Sequence, residues 1–311
     1  CSGCGDQNRE HVDTHSKNEE YATVKGCDRI PSFKADLTND TKLNINVLID
    51  ISYRIAPGTT HGKRALKNDL AILEQLALIW KKHICRKPLK AYDDEFHIRL
   101  NEPIPKGLGS YFDKLAFDAG AIHQERSPAE FKRFLSYFED TVTQRARKIY
   151  QTVHDKSYQT ADNWIGSNIY GFFKNSNQLQ KCIKPNADNI LVILTDGYIS
   201  HTKHNRTFDK GLAFNNLVEQ KFQNGGVFHD QKLSAIKQKG YQLKPATDDL
   251  SNLEIIVAGI DPHVNASDGA KLRYLLSKWL SAMKVEQKTI YKTKGATIRN
   301  REDLKGYFYK E

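Results

Sequence analysis

Long hydrophobic runs and cysteines are both scarce in this sequence. No stretch of about 18 consecutive apolar residues occurs, so the sequence predicts no helix that spans a bilayer. Five cysteines are too few for a scaffold built on disulfides. The one Cys-x-x-Cys spacing, Cys1 and Cys4, has no matching zinc ligands elsewhere. We therefore expect a fold held together by a hydrophobic core, and a membrane link, if present, that is covalent.

Sequence motifs of the common enzyme classes are absent as well. The chain has no nucleophile elbow, no Walker loop that cradles phosphates and no histidine pair of a zinc hydrolase. It also has no internal repeat and no low-complexity segment. We therefore expect a protein that binds a partner and does not catalyse a reaction.

Positive charge is the clearest compositional bias. The 311 residues include 47 Lys and Arg against 37 Asp and Glu, a formal net charge of +10, and the isoelectric point is about 9.2. Such a charge attracts anionic surfaces and polymers at low salt. No recognised nucleic-acid module accompanies it. A nucleic-acid-associated protein is therefore an alternative that the net charge alone supports, and we do not expect it.

Three apolar runs organise the chain. They lie in the segments Asn44 to Arg54, Asn189 to Tyr198 and Leu253 to Ile260, and each is rich in Ile, Leu and Val. Such runs, without alternation, are typical of strands buried on both faces of a parallel sheet. We predict an α/β fold with a doubly wound, mostly parallel central sheet and helices on both faces. The three runs are its inner strands.

Helical periodicity fills much of the chain between these runs. Apolar residues recur every three or four positions from Arg64 to about Cys85, and again from Ser267 to Val285. The sequence Ser127-Pro128-Ala129-Glu130 has the composition of a capping box with a first-turn proline, and predicts a helix that reaches about Val153. The alternating segment Asp94 to Leu100 predicts a strand nearer the edge of the sheet.

A long polar stretch follows the second apolar run. Residues 199–250 are rich in His, Asn, Gln and Lys, and we predict an insertion there. Because this stretch leaves the carboxyl end of the strand that ends near Asp196, we expect it to fold over or beside the strand ends. Added loops at such positions set specificity. We predict that residues 43–311 form one enlarged domain that includes this insertion.

Acidic and hydroxyl side chains follow the first two runs. The first run ends in Asp50-Ile51-Ser52-Tyr53-Arg54, and the second ends in Thr195-Asp196-Gly197. Open parallel sheets present their ligand sites at the carboxyl ends of the strands. We therefore expect the carboxylates of Asp50 and Asp196 to meet in one crevice.

At these residues the sequence resembles the von Willebrand factor type A domain. The metal-ion-dependent adhesion site of that family has Asp-x-Ser-x-Ser after the first strand, a Thr on a middle loop and an Asp after the fourth strand. Asp50 and Ser52 match the first two positions, and Asp196 matches the last. The segment Gly166-Ser167-Asn168-Ile169 is similar to the Gly-Thr-x-Ile loop of the family, with Ser167 in place of Thr. The resemblance covers roughly residues 43 to 285.

The resemblance implies a cation held by Asp50, Ser52, Ser167 and Asp196, with one position open for an acidic side chain of a partner. Such hard oxygen ligands suit Mg²⁺, Mn²⁺ or Ca²⁺. Arg54 departs from the pattern, because it stands at the third position of the first motif, where the family has Ser. Two arrangements are open: the Arg54 side chain turns away and the cation is kept, or it lies between the two aspartates and replaces the cation. An uncompensated positive charge beside a divalent ion is costly.

An enzyme alternative rests on the same strand ends. Mg²⁺-dependent phosphotransferases of the haloacid dehalogenase type also place Asp after apolar strands, but their first motif requires Asp-x-Asp. Ser52 stands where the second carboxylate would be, which removes the acid/base partner of an aspartyl nucleophile. A metal-dependent hydrolase or phosphotransferase is therefore the alternative to a binding protein that recognises a protein or other macromolecule.

The first residues predict an anchor. The chain begins Cys1-Ser2-Gly3-Cys4-Gly5 and continues to about Lys42 with almost no apolar periodicity. This pattern is typical of a mature bacterial lipoprotein, in which the N-terminal Cys carries acyl chains. Each buried methylene of such chains contributes about 0.8 kcal/mol. We expect residues 1–42 to be a tether, Cys1 to be the lipid-attachment site and the protein to lie at a bacterial envelope membrane. The alternative is that the given sequence merely starts at a Cys.

The remaining cysteines leave two alternatives open. If Cys1 is acylated, an even number remains, which an oxidising envelope compartment would permit to pair: Cys4, Cys27, Cys85 and Cys182. Cys85 and Cys182 lie next to predicted core elements, so a buried free thiol at these positions is an equal alternative.

Overall fold

The computed structural model describes residues 24–34, 41–52, 60–87, 92–100, 108, 111, 114–157, 168–199, 212–214, 217, 219–261, 268–292 and 297–309. Three residues with predicted roles, Cys1, Arg54 and Ser167, lie outside these ranges. No helix in these ranges has both the length and the apolar character needed to cross a membrane.

Eight strands are described, of which six form the central sheet and two form a separate pair. In chain order they are β1 (Lys42–Ile49), β2 (Glu95–Leu100), β3 (Ala116–Asp118), β4 (Ala187–Leu194), β5 (Ala213–Phe214), β6 (Gln242–Leu243), β7 (Glu254–Ile260) and β8 (Lys288–Lys292). The central order is β3-β2-β1-β4-β7-β8, parallel throughout except for the antiparallel edge strand β3. The three apolar runs are the inner strands β1, β4 and β7, as predicted.

The helices of the described part of the chain cover both faces of this sheet. They are α1 (Thr60–Arg86), α2 (Ala119–Gln124), α3 (Pro128–Ser136), α4 (Phe138–Ser157), α5 (Ile169–Lys174), α6 (Ser176–Gln180), α7 (Leu233–Lys239), α8 (Asp268–Ala282) and α9 (Thr297–Phe308). The structure is therefore α/β with a mostly parallel six-stranded sheet.

Strand register assigns each strand residue to one of two cores. Leu43, Ile45 and Val47 of β1 face the first core, which α1, α4 and the end of α9 cover. Leu48 and its register neighbour Ile193 face the second core, which α5, α6 and α8 cover. Because both faces are buried, the strands carry apolar residues on both faces, and the polar residues of β1 that are also buried, Asn44 and Asn46, have hydrogen-bond partners.

The predicted helix after Ser127 begins as expected and ends early. The Ser127 hydroxyl accepts from the Glu130 amide at 3.3 Å and the Glu130 carboxylate accepts from the Ser127 amide at 2.9 Å, so the capping box is confirmed. The prediction of one helix to Val153 is wrong at Tyr137, where the amide bonds to Phe134 O, three residues back, at 3.2 Å. A second helix, α4, then starts at Phe138.

The polar stretch after β4 contributes to the second core. Its described part contains β5, β6 and α7, and it buries Phe214, Phe222, Phe228, Ile236 and Tyr241. The Phe222 ring meets the ring of Tyr198, four residues after the end of β4, at a centroid distance of 5.6 Å. The stretch therefore packs beside the carboxyl end of β4.

A disulfide joins Cys27 to Cys85 at the end of α1, while Cys182 is a buried free thiol. Residues 24–34, which lie within the predicted tether, pack on the domain. Phe33 meets His83 edge to face at 5.3 Å and forms a bridge with Tyr309 after α9. Burial raises the pKa of the Cys182 thiol to about 11, so this thiol stays protonated and unreactive.

Candidate functional site

The carboxyl ends of β1 and β4 lie side by side at the point where the strand order reverses. From β1 the chain moves outward to β2 on one side, whereas β4 and β7 lie on the other side. In open α/β sheets ligands bind in the crevice outside the strand ends at such a switch point. The position of these two strand ends makes them the first candidate for a functional site.

The backbone continues the sheet pattern one residue beyond each strand. The Asp50 amide donates to Leu194 O at 3.0 Å, and the Thr195 amide donates to Ala258 O at 2.9 Å. These bonds place Asp50 and Thr195 next to each other at the edge.

The Asp50 carboxylate accepts hydrogen bonds from both sides of this junction. Its Oδ2 accepts from the Thr195 hydroxyl at 2.7 Å, and its Oδ1 accepts from the Ser52 amide at 2.9 Å. Asp50 is only 3% exposed and Thr195 only 1%. A carboxylate this deeply buried requires such donors, because burial without them would disfavour its charged form.

Asp196 and Gly197 form the turn that leaves β4. The Asp196 carboxylate accepts from the Tyr198 amide at 3.0 Å, and the Thr195 hydroxyl oxygen accepts from the Gly197 amide at 3.1 Å. Gly197 has a φ of +99°, and a Cβ there would lie 2.9 Å from Ile260 Cδ1. Glycine is therefore required by both the backbone conformation and the close approach of β7.

A third acidic residue, Asp261, directly follows β7. Asp261 forms an ion pair with Arg64 in the first turns of α1. This pair ties the start of α1 to the same edge of the sheet.

The structure brings together part of the predicted set. Asp50, Ser52 and Asp196 all lie at the carboxyl ends of β1 and β4. The described bond between the strands joins Asp50 to Thr195, a residue to which the sequence had assigned no role. The sequence did contain a signal for Thr195, since this hydroxyl residue directly follows a buried apolar run. The contact of Thr195 with Asp50, however, could be seen only from the register that pairs Ile49 with Leu194.

The other two predicted residues, Ser167 and Arg54, are outside the described ranges. Asn168, next to Ser167, caps α5 by accepting from the Gly171 amide at 2.9 Å. The loop that resembles the family's middle loop therefore leads into a helix.

The donor types at this edge suit a hard divalent cation. Asp50 and Asp196 supply carboxylate oxygens, and Ser52 and Thr195 supply hydroxyls, which are the ligands that Mg²⁺ and Ca²⁺ prefer. Within the described ranges, no group of three or more His, Cys, Asp or Glu residues could hold a metal ion. A cation at this edge would therefore rest on two carboxylates supplemented by hydroxyls and water.

The amino ends of the inner strands, at the other end of the sheet, carry a different set of polar residues. The Asn44 amide nitrogen donates to Asn189 Oδ1 at 2.7 Å and to Cys182 O at 2.9 Å, and Asn46 Nδ2 donates to Asn44 Oδ1 at 3.0 Å. Asn189 Nδ2 donates in turn to Lys184 O at 3.0 Å. These buried amides connect β1, β4 and the chain before β4, and we refer to them as the amide chain.

Glu95 at the start of β2 lies beside the amide chain. Lys42, Lys184 and His97 place nitrogens 2.9, 3.0 and 2.8 Å from its carboxylate. Burial by itself would raise the pKa of Glu95, but hydrogen bonds from His97, Lys42 and Lys184 outweigh burial and hold the pKa well below its usual range. Glu95 is therefore ionised at any physiological pH.

No family model matches this chain, and no curated protein or solved structure is significantly similar to it. The assignment of a function therefore depends on the chemistry and position of the strand-end residues.

Proposed function

We propose that this protein is a binding protein of the von Willebrand factor type A-like kind, whose ligand contacts the carboxyl ends of β1 and β4. The observation that carries the proposal is the 2.7 Å hydrogen bond between Thr195 and Asp50 at the switch point. It fixes a buried carboxylate where open α/β sheets bind their ligands. The aromatic part of the insertion, next to Tyr198, would form one wall of the contact surface.

In this proposal a divalent cation, Mg²⁺, Mn²⁺ or Ca²⁺, mediates the contact. Asp50, Ser52 and Asp196 would hold it together with Ser167, and the cation would present an open position to an acidic side chain of a protein or other macromolecular partner. The oxygen donors described at this edge support the choice of a hard cation. Arg54 would turn away from the cation, or replace it.

The proposed location is outside the cytoplasm, at a bacterial envelope. The disulfide between Cys27 and Cys85 supports it, because such bonds persist in oxidising compartments and are rare in the cytosol. Lipid attachment at Cys1 stays a prediction. Mass spectrometry of the protein from its natural host would test both, through the mass of the N-terminal peptide and the linked Cys27–Cys85 peptides in an unreduced digest. An unmodified Cys1 would exclude the anchor, and free thiols at Cys27 and Cys85 would exclude the location.

The cation is tested by calorimetric titration of wild type, Arg54→Ser and Asp196→Ala with Mg²⁺ and Mn²⁺. If the site holds a cation already, wild type and Arg54→Ser bind alike and Asp196→Ala binds at least about tenfold more weakly, since it loses a charged ligand. If Arg54 replaces the cation, Arg54→Ser gains binding that wild type lacks. Absence of binding in all three proteins would contradict the proposed cation.

A parallel assay separates binding from catalysis. Wild type and Asp50→Asn are incubated with p-nitrophenyl phosphate and Mg²⁺. We expect no hydrolysis above the uncatalysed rate, because Ser52 stands where a phosphotransferase needs its acid/base carboxylate. Hydrolysis that wild type performs and Asp50→Asn does not would contradict the proposal of a binding protein.

A further inference from the structure

A groove separates α1 from α4 on the outer side of the first core. The two helices run antiparallel, as shown by contacts at both ends: the Tyr150 hydroxyl bonds to Asp69, and Lys81 pairs with Glu139. The groove between them is open to solvent and has a volume of about 500 Å³. It extends along α1 from Lys63 to Glu74, which is about 16 Å at 1.5 Å per residue. Its volume is in the range of small-molecule binding sites.

The groove has three chemically distinct parts. Its floor is apolar and formed by Leu66, Leu70 and Ala71 of α1. Three cations line it, Lys63 and Lys67 from α1 and Arg147 from α4, whereas Glu74 and Asp140 contribute acidic groups. A ligand that fills the groove therefore meets basic, apolar and acidic surfaces.

One cation of the groove, Lys63, stands near the N-terminus of α1, where the electrostatic preference of a helix is for acidic side chains. A helix N-terminus favours acidic side chains, yet the first turn of α1 has none, and Lys63 and Lys67 stand one turn apart with like charge. Arg64, between them in sequence, pairs with Asp261. Lys63, Lys67 and Arg147 have no ion-pair partner among the residues that the structure describes. Violations of local rules of this kind concentrate at functional sites.

We propose that this groove binds a small phosphate monoester whose other end carries an amine or hydroxyl. The phosphate lies between Lys67 and Arg147, and Lys63 adds positive charge at the same end of the groove, because a dianion matches several cations better than a single carboxylate does. The body of the ligand covers the floor at Leu66 and Leu70, and its amine or hydroxyl donates to Glu74 or Asp140.

The acidic residues also limit the kind of anion. A polyanion such as nucleic acid, or an anionic bilayer, would bring further negative charge against Glu74 and Asp140. Repulsion between these like charges disfavours such partners. The groove therefore selects a short ligand with a single anionic end. This site is separate from the one proposed at Asp50 and does not depend on a cation.

The probe for this site is O-phosphotyramine, which has a phosphate, an aromatic body and an amine in a row. Calorimetric titration of the full chain in metal-free buffer should show one site that binds O-phosphotyramine at least about tenfold more tightly than inorganic phosphate, with no binding of tyramine. Lys67→Gln and Arg147→Gln should each lower the affinity for O-phosphotyramine by about tenfold or more, because each variant loses one charge-assisted hydrogen bond.

Lys148→Gln is the matched control, since it removes the same charge from the exposed position next to Arg147, outside the groove lining. Its affinity for O-phosphotyramine should equal that of wild type. At least one of Glu74→Gln and Asp140→Asn should weaken the binding of O-phosphotyramine and leave the binding of phenyl phosphate, which has no amine, unchanged. Circular dichroism of each variant checks that it is folded. Equal loss of affinity in Lys148→Gln and Arg147→Gln, or an affinity for O-phosphotyramine no greater than that for inorganic phosphate, would overturn the proposal.

Discussion

Polar side chains at the two ends of the central sheet are used in different ways. At the amino ends, Asn44, Asn46 and Asn189 bond to one another and to nearby carbonyl groups inside the fold. At the carboxyl ends, Asp50 and Asp196 each accept a hydrogen bond from the amide two residues further along the chain. Such side-chain turns are typical of positions where the chain leaves a strand.

The difference separates a structural polar group from a candidate site. Buried networks whose members are all satisfied make a fold rigid and specific, and are costly to break. Around Glu95, one carboxylate is balanced by Lys42, Lys184 and His97 within the protein itself. At the other end, Asp50, Asp196 and Asp261 follow three neighbouring strands, at the ends where open α/β sheets generally bind their ligands. We therefore infer that the amino ends stabilise the fold and the carboxyl ends bind the partner.

The largest effect is expected at the amide chain. Asn44→Leu removes the donor to Cys182 O and Asn189 Oδ1 and the acceptor of Asn46, which leaves buried polar groups unsatisfied. We expect the free energy of unfolding to fall by about 3 kcal/mol, as measured by urea denaturation. Cation affinity should be unchanged under conditions where the variant is folded. A loss below about 1 kcal/mol would mean that the amide chain has no structural role.

A smaller effect that depends on pH is expected at Glu95. Because the folded protein holds the pKa of Glu95 below its unfolded value, its contribution is complete above about pH 5 and is lost as pH falls through the folded pKa. Glu95→Gln should therefore destabilise the protein by about 2 kcal/mol at pH 7. The difference from wild type should shrink between about pH 5 and pH 2. Urea denaturation of both proteins across this range is the measurement, and a difference independent of pH would contradict the assigned role of the charge.

The smallest effect on stability is expected at the candidate site. In Asp50→Asn the amide oxygen can still accept one of the two described hydrogen bonds, from Thr195 or from Ser52, so we expect a loss of about 1 kcal/mol. Cation binding by Arg54→Ser should nevertheless be weakened at least about tenfold when Asp50→Asn is added. A destabilisation as large as that of Asn44→Leu would remove the contrast between the two ends of the sheet.

Local sequence signals predicted much of the fold. The apolar runs predicted β1, β4 and β7, and the Ser127 capping box predicted the start of α3. The break at Tyr137 could not be predicted from periodicity, because Phe134 and Phe138 continue one apolar stripe on both sides of it. Helix α9 was missed because its polar sequence has little helical periodicity, and it is held instead by Leu304 and Phe308 in the first core.

Contacts between distant parts of the chain were the harder part. In the insertion, Phe214, Phe222 and Phe228 are spread through a polar sequence without a period, so their shared burial was not visible. The partner of Cys85 among several cysteines also depends on the folded chain. For the site, the strand ends predicted where Asp50 and Asp196 lie, whereas the bond of Asp50 to Thr195 required the register of β1 and β4.

The most direct test of the contrast between the two ends is a Mn²⁺ titration followed by NMR. Paramagnetic Mn²⁺ broadens the amide signals of residues near it, and the two ends of an eight-residue strand lie about 25 Å apart. In Arg54→Ser, one equivalent of Mn²⁺ should broaden the amides of Ser52, Gly197 and Tyr198 and leave those of Leu43 and Lys184 sharp. Selective broadening at Leu43 and Lys184, or no selective broadening at either end, would contradict the assignment of binding to the carboxyl ends.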